Sequence, residues 1–152
     1  MNITIRPATI ADAAIITRFN ELLAVETENI TLEHSRLLTG VEQLLRDPAK
    51  GFYILAEADN AVVGQTMITY EWSDWRNGVF WWIQSVYVEK ASRGTGIFKA
   101  LFEYIRVLAA ASGNVCGLRL YVDVHNARAK QTYERLGMNA SHYELYETDF
   151  VL

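Results

Sequence analysis

Hydrophobic and polar positions along the chain alternate with two different periods, and these predict a mixed order of strands and helices. Alternating or continuous apolar residues predict strands at residues 3–6, 52–58, 61–71, 79–88, 118–124 and 138–146. Spacings of three and four predict helices after Thr9, at residues 32–46, from Ile97 to a stop at Gly113, and at residues 127–136. Antiparallel hairpins followed by alternating helices and strands indicate a three-layer α/β or α+β domain.

The predicted strand at residues 79–88 carries large apolar side chains on both faces, among them Phe80 and Trp82 on one and Trp81 and Ile83 on the other. A strand with this pattern is buried on both sides, so we expect it at the centre of the sheet. The Asn77–Gly78 pair before it favours a tight hairpin turn. We expect Trp81 and Trp82 to be packing residues of this hairpin.

Composition narrows the class of protein. The 152 residues are 51% hydrophobic and 21% charged, so we expect one globular domain spanning residues 1–152. No apolar run approaches the roughly 18 residues of a membrane span, and no secretory signal is evident, so we expect a cytoplasmic protein without membrane contact. A net charge of −4 disfavours nucleic-acid binding. The single cysteine, Cys116, can form neither an internal disulfide nor a zinc site by itself, and we expect no metal.

A glycine-containing turn between the central strand and the next helix carries the clearest functional signal. Arg93, Gly94, Thr95 and Gly96 stand where the strand pattern gives way to the helix pattern. The first turn of a helix exposes backbone N–H groups, and nearby glycines allow a phosphate or diphosphate to approach them closely. The turn is neither a P-loop nor a complete Rossmann fingerprint. Taken alone, it is equally consistent with a tight connection.

A second segment lies at the start of the last predicted helix. Asn126 occupies a natural helix-cap position, and Tyr133, seven residues later, projects from nearly the same face. By itself this pattern is typical of a capped helix with an aromatic anchor in the core.

Together the two segments resemble the motifs of the GNAT superfamily of acyl-CoA-dependent N-acyltransferases. The family's Arg/Gln-x-x-Gly-x-Gly/Ala motif is similar to residues 93–98, and its Asn-x-x-Ala-x-x-x-Tyr-x-x-x-Gly-Phe motif to residues 126–138, with Met138 in place of Phe. The opening residues 5–8 also resemble the family's start. The resemblance implies a three-layer fold, with a central mixed sheet of about six to seven strands flanked by about four helices.

The resemblance further implies that acetyl-CoA is the co-substrate. Its pantetheine arm is expected along the backbone of the central strand and its diphosphate at the glycine turn. A large Phe98, where the family has Gly or Ala, is expected to point away from the diphosphate. The implied cofactor-binding residues are Val86, Tyr87, Val88, Arg93, Gly94, Thr95, Gly96, Ile97, Phe98, Asn126 and Tyr133.

The implied reaction is direct transfer of the acetyl group to a primary amine, with Tyr133 as the catalytic residue that donates a proton to the leaving sulfur. Family members often place a glutamate on the central strand, where this chain has Gln84 and Ser85. The base that takes the proton of the amine is therefore open among Glu71, Glu28, His125 and solvent. Candidate acceptor contacts are Glu28, Glu71, Trp72 and Gln84.

The expected partners are acetyl-CoA and a small-molecule or peptide amine, with a weak likeness to the diamine and polyamine acetyltransferases. Tryptophans around the hairpin suggest a homodimer surface, or for Trp72 and Trp75 equally an acceptor wall. Two alternatives stay open: a non-catalytic acyl-CoA sensor of the same fold, and a structural dimerisation domain. Acetyl-CoA binding would distinguish the last from the others.

Overall fold

A mixed five-stranded sheet forms the core of the computed structural model, which describes all 152 residues. β1 to β4 pair antiparallel in chain order, and β5 pairs parallel with β4. A parallel pair needs a crossover connection, which α3 provides between β4 and β5. The strands are β1 (Ile3–Pro7), β2 (Phe52–Ala58), β3 (Ala61–Ser73), β4 (Gly78–Val88) and β5 (Val115–Leu120). The helices are α1 (Ala13–Glu28), α2 (His34–Arg46), α3 (Ile97–Ser112) and α4 (Ala127–Arg135).

The helices of the first 120 residues cover both faces of the sheet. Neighbouring residues of β3 point to opposite faces, so their contacts show which helix covers which face. The side chain of Gln65 bonds Asn20 of α1, whereas a Cβ at Gly64 would lie 2.8 Å from the Ile97 side chain of α3. α1 and α2 therefore share one face and α3 covers the other. β4 lies between β3 and β5, so it is an interior strand and is buried as its apolar pattern predicts, although β3 is the middle strand of the five.

Polar side chains define where the first helices begin. The backbone N–H of Thr9 donates to the Asp12 carboxylate (2.8 Å), so the capping pattern after the first strand is confirmed, and a short 3-10 turn precedes α1. α2 begins at His34, not at residue 32, because the Glu33 carboxylate accepts the N–H groups of Ser35 and Arg36 as its cap.

The chain divides into two units, residues 1–120 and residues 121–152. The first contains the whole sheet with α1, α2 and α3, and the second contains α4. A single domain across residues 1–152 stays a prediction from the sequence.

The α+β class, the mixed sheet and the four helices are confirmed, but the expected six to seven strands are too many. Residues 138–146 form no regular strand. They belong to a unit that contains no strand, so no neighbouring ladder satisfies their backbone groups there, and period-two patterning alone does not make a strand.

The fifth strand starts earlier than the sequence suggests, at Val115 instead of residue 118, and ends at Leu120 instead of residue 124. Gly117 lies in the middle of it, although glycine is usually depleted in strands. A Cβ at this position would lie 2.5 Å from a ring carbon of Phe80 on β4. The aromatic ring therefore requires a glycine here, which local strand propensity cannot anticipate.

We predict that Gly117→Ala lowers the free energy of unfolding by about 1–3 kcal/mol, since the added methyl group overpacks against Phe80. The control is Gly40→Ala in α2, where the added methyl meets no atom within 4 Å and should stabilise the helix by up to about 1 kcal/mol. Urea unfolding of both variants measures the difference. Equal stabilities would contradict the close contact between Gly117 and Phe80.

Candidate functional site

The carboxyl end of β4 contains a β-bulge. Gln65 of β3 pairs with Tyr87, and Met67 pairs with Gln84. Between these two pairs β4 advances by three residues and β3 by two, so β4 contains one extra residue. Ser85 lies in this bulge and adopts the left-handed backbone conformation, with φ of 52°. The bulge therefore redirects the backbone of β4 just before its last three residues.

The same end of β4 extends beyond its parallel neighbour. Pairing between β4 and β5 stops at Ile83 and Leu120, and residues 84–88 continue past it. Val86, Tyr87 and Val88 thus lie on a central strand whose ladder with β5 has already ended. Backbone N–H and C=O groups on such an edge can pair with an extended ligand.

The glycine turn follows this segment and leads directly into α3. Gly94 and Gly96 have φ of 77° and 90°, which L-residues rarely adopt, and the space around each Cβ position is open for 4 Å. The earliest hydrogen bond of the helix runs from Ala100 N–H to Gly96 C=O (3.0 Å), and Thr95 is tied back to Ser92 C=O through its hydroxyl (2.5 Å). The open space and the exposed first turn of α3 suit a phosphate or diphosphate group.

Arg93 fixes the start of this turn. Its Nε donates to Val88 C=O (2.9 Å), its Nη2 pairs with Glu26 of α1 (2.6 Å), and the guanidinium lies 5.5 Å from the ring centroid of Tyr87. The Tyr87 ring in turn packs on Phe19 of α1, with centroids 5.0 Å apart. The turn is thereby anchored both to β4 and to α1.

The first two residues of α3 contribute apolar contacts. Ile97 is buried. The ring of Phe98 packs on Phe102, with centroids 6.2 Å apart. Because backbone donors do not depend on side-chain identity, Phe98 does not change the donor chemistry of the turn.

A carboxylate is held on the sheet face that α1 and α2 share, near the hairpin end of β3 and β4. Glu71 Oε1 accepts the indole N–H of Trp82 (2.9 Å) and an N–H of Arg119 (2.8 Å). These interactions, the Trp82 bond first, hold the pKa of Glu71 below its ordinary value. Glu71 is therefore an ionised structural partner near neutral pH and a weak candidate for a general base.

The four residues that the sequence suggests as contacts for the acceptor amine do not form one cluster. Gln84 projects from the same face as Glu71, and its side-chain amide donates to Thr69 Oγ1 (2.5 Å). Trp72 follows Glu71 directly and points to the opposite face, where it is 61% exposed. Glu28 is the last residue of α1 and is exposed.

The hairpin tryptophans separate into two groups. Trp81 is buried, and its ring packs edge-on against Phe52 at 5.3 Å, which confirms the packing role expected for it. Trp75 is 85% exposed at the hairpin turn.

The second unit contains the other predicted motif. Asn126 caps α4 by accepting the Ala129 N–H on its side-chain oxygen (3.0 Å), as the sequence predicts. Tyr133 lies in α4, and burial raises the pKa of its phenol above the ordinary value. Its hydroxyl therefore stays protonated at neutral pH and can act as a proton donor. His125 precedes the cap and is exposed.

Three residues that interact with the candidate site were not predicted from the sequence. Glu26 pairs with Arg93 across 67 residues and Arg119 with Glu71 across 48, and no local pattern signals either contact. Gln65 is fully buried within an apolar stretch of β3. A lone amide in such a stretch is the one signal that could have identified it.

The structure contains no group of three or more His, Cys, Asp or Glu side chains placed to hold a metal ion. None of its helices combines the length and apolar character needed to cross a bilayer.

Residues 16–138 of the chain match the Acetyltransferase (GNAT) family. A possible acetyltransferase from Clostridium difficile 630 is similar over 100% of both chains, with 47% identity and a TM-score of 0.90. Two more distant structures share the fold. The ribosomal-protein-alanine N-acetyltransferase of Brucella melitensis biovar Abortus 2308 has 20% identity over 98% of this chain and 99% of its own, with a TM-score of 0.78. A predicted acetyltransferase with acetyl-CoA from Clostridium acetobutylicum has 18% identity over 97% and 96%, with a TM-score of 0.79. No curated protein matches the sequence.

We predict that Glu71→Gln lowers the free energy of unfolding at pH 7 by less than about 1 kcal/mol, because the ion pair is partly exposed. Because the pKa of Glu71 is lower in the folded than in the unfolded protein, the ionised carboxylate stabilises the fold at pH values above the unfolded-state pKa of about 4.3. This stabilisation is lost as the pH falls through the lowered pKa of the folded protein. The difference from the wild type should therefore become smaller as the pH is lowered.

Denaturant unfolding at pH 7 and pH 3 measures this difference. Glu103→Gln is the control, since its pair with Arg106 is exposed and 4.0 Å long. A difference that grew in acid would contradict the assignment for Glu71.

Proposed function

Because the chain belongs to the GNAT family of acetyltransferases, we propose that it transfers an acetyl group from acetyl-CoA directly to a primary amine. The observation that carries this proposal is the continuous segment from the bulge at Ser85 to the first turn of α3. It provides an unpaired strand edge followed by an open glycine turn. These two features suit an extended arm and a diphosphate in the order in which they occur in coenzyme A.

In this proposal the backbone of Val86, Tyr87 and Val88 binds the pantetheine arm as an added strand would. An N–H near Val88 polarises the thioester carbonyl, which stabilises the negative charge that develops on its oxygen. The backbone donors of residues 93–98 bind the diphosphate, and Asn126 contributes to the cofactor site from α4. The solved relative that is described with acetyl-CoA supports this choice of donor.

The proposed chemistry is a single displacement. The amine nitrogen attacks the thioester carbonyl, a C–N bond forms and the C–S bond breaks. Tyr133 donates its phenolic proton to the departing sulfur and is reprotonated from solvent, and the proton lost by the amine passes to a base. Glu71 is disfavoured as this base because it is held as an ion-paired carboxylate of lowered pKa, and Gln84 and Ser85 carry no basic group. Glu28, His125 and solvent remain the candidates.

The acceptor is a small-molecule or peptide amine in this proposal. A protein amine is the acceptor named for the Brucella relative, which at 20% identity supports the fold more than the substrate. The homodimer and the cytoplasmic location expected from the sequence stay predictions.

The direct test measures thiol release from acetyl-CoA in the presence of polyamines, amino acids, aminoglycosides and peptides with free N-termini or lysines. We expect release above the hydrolysis background with one acceptor class and detectable equilibrium binding of acetyl-CoA. Binding without release for every acceptor would support the sensor alternative. Absence of binding would overturn the proposed function.

We predict that Tyr133→Phe lowers kcat by about a hundredfold, the usual contribution of a positioned proton donor. Acetyl-CoA affinity should change little because the ring remains. Tyr146→Phe is the control, since that side chain belongs to the same unit and is 88% exposed. Steady-state thiol release and calorimetric titration separate the two effects, and an unchanged kcat would remove Tyr133 from the mechanism.

A further inference from the structure

Ser85 adopts a backbone conformation that needs external support. Its φ of 52° lies in the left-handed region, where a side chain with a Cβ is disfavoured relative to extended backbone. Serine has no special tolerance for this region, and the sheet on either side would favour extended geometry. Some contact must therefore hold the bulge in place.

Gln65 supplies one such contact from the neighbouring strand, beside the Tyr53 hydroxyl, which interacts with the Ser85 side chain, and the Thr66 hydroxyl, which donates to Gln84 C=O (3.1 Å). Its Nε2 donates to the carbonyl oxygen of Ser85 (3.1 Å) and to Oδ1 of Asn20 in α1 (3.0 Å). Asn20 in turn donates to the hydroxyl of Tyr53 in β2 (3.1 Å). Gln65, Asn20 and Tyr53 are all buried, and the bond from Gln65 to Ser85 C=O is partly buried, so solvent competes little with this network.

Gln65 is not the residue that would make the folded protein most stable at this buried position. Gln65 is completely buried, and its Oε1 accepts no hydrogen bond. A buried acceptor without a donor destabilises a fold, and methionine would fill the same volume without that penalty. The amide donor thus serves a purpose other than packing, and the carbonyl of Ser85 is the backbone group that it fixes.

We propose that Gln65, oriented by Asn20 and Tyr53, is a positioning residue that holds Ser85 in its left-handed conformation and thereby aims Val86, Tyr87 and Val88 at the cofactor. This inference rests on the proposed function, which assigns the backbone of those three residues to the arm of acetyl-CoA. Gln65 itself touches no reacting atom. It acts through Ser85. Gln65 pairs with Tyr87 across the sheet, and Ser85 lies two residues before Tyr87 in β4.

The test compares Gln65→Met with Thr17→Val. Thr17 is equally buried and donates its hydroxyl to Ala13 C=O within α1, so its loss removes a buried hydrogen bond without touching β4. We expect Gln65→Met to weaken acetyl-CoA binding about tenfold and to raise KM more than it lowers kcat, since the binding-competent bulge is then less populated. Thr17→Val should leave the affinity within about twofold, because its hydrogen bond stays within α1 and involves neither Gln65 nor Ser85.

Rescue by Ser85→Gly separates positioning from general destabilisation. Glycine enters the left-handed region without steric strain but weakens a strand. The double variant Gln65→Met/Ser85→Gly should therefore recover acetyl-CoA affinity while its stability against urea does not recover. Loss of affinity that follows stability in all variants, without rescue, would overturn the inference.

Two further measurements keep the inference testable if Gln65→Met does not fold. Tyr53→Phe removes a hydroxyl that accepts from Asn20 and also interacts with the Ser85 side chain, so it loosens the bulge at two points and should weaken acetyl-CoA binding by about threefold. The N–H to Hα coupling of Ser85, measured by NMR without any ligand, should shift from the left-handed toward the extended value in the network variants.

The NMR measurement also separates this inference from the proposed function. A wild-type protein that fails to bind acetyl-CoA would overturn the function while the coupling of Ser85 still reports on Gln65. Unchanged Ser85 geometry in Gln65→Met and Tyr53→Phe would overturn the positioning role even if the enzyme is active.

Discussion

The early end of the pairing between β4 and β5 is the constraint on which the candidate site depends. Up to Ile83, β4 is a buried central strand with neighbours on both sides; beyond it, only β3 remains paired. The bulge at Ser85 falls within this half-paired stretch. A strand that is fixed on one side and open on the other combines rigidity with free backbone groups, which is what strand-like capture of a ligand requires.

If the proposed function holds, the surroundings of this stretch explain how an acidic chain would hold the diphosphate of acetyl-CoA. With a net charge of −4, the protein as a whole does not attract a diphosphate. In that proposal the attraction is local and comes from the backbone N–H groups in the first turn of α3 and the partial positive charge of the helix dipole. Arg93 adds little net charge because Glu26 neutralises it, so its contacts with Val88 C=O and Tyr87 serve chiefly to fix the turn.

Two polar networks on one face of the sheet have different consequences. Glu71, Trp82 and Arg119 form a partly exposed network that lowers the pKa of the carboxylate and engages one of its oxygens in two hydrogen bonds, which makes Glu71 a weak proton acceptor. Gln65 and Asn20 form a buried network with one unsatisfied acceptor. Water screens the first, and its loss changes stability little. The second is shielded, so each of its hydrogen bonds constrains the backbone strongly.

Local sequence patterns by themselves determined the order of elements up to α4, the burial of β4 inside the sheet, the glycine turn and the Asn126 cap, because each depends on residues within a few positions of one another. These patterns failed where a contact with a residue distant in sequence determines the structure. Residues 138–146 alternate like a strand but pair with no other strand in their unit. β5 contains Gly117 because the ring of Phe80 leaves no room for a Cβ there. Only the tertiary structure brought Glu26 to Arg93 and Gln65 to Ser85. Such contacts leave no periodic trace, since they form between surfaces that meet only after the sheet is assembled.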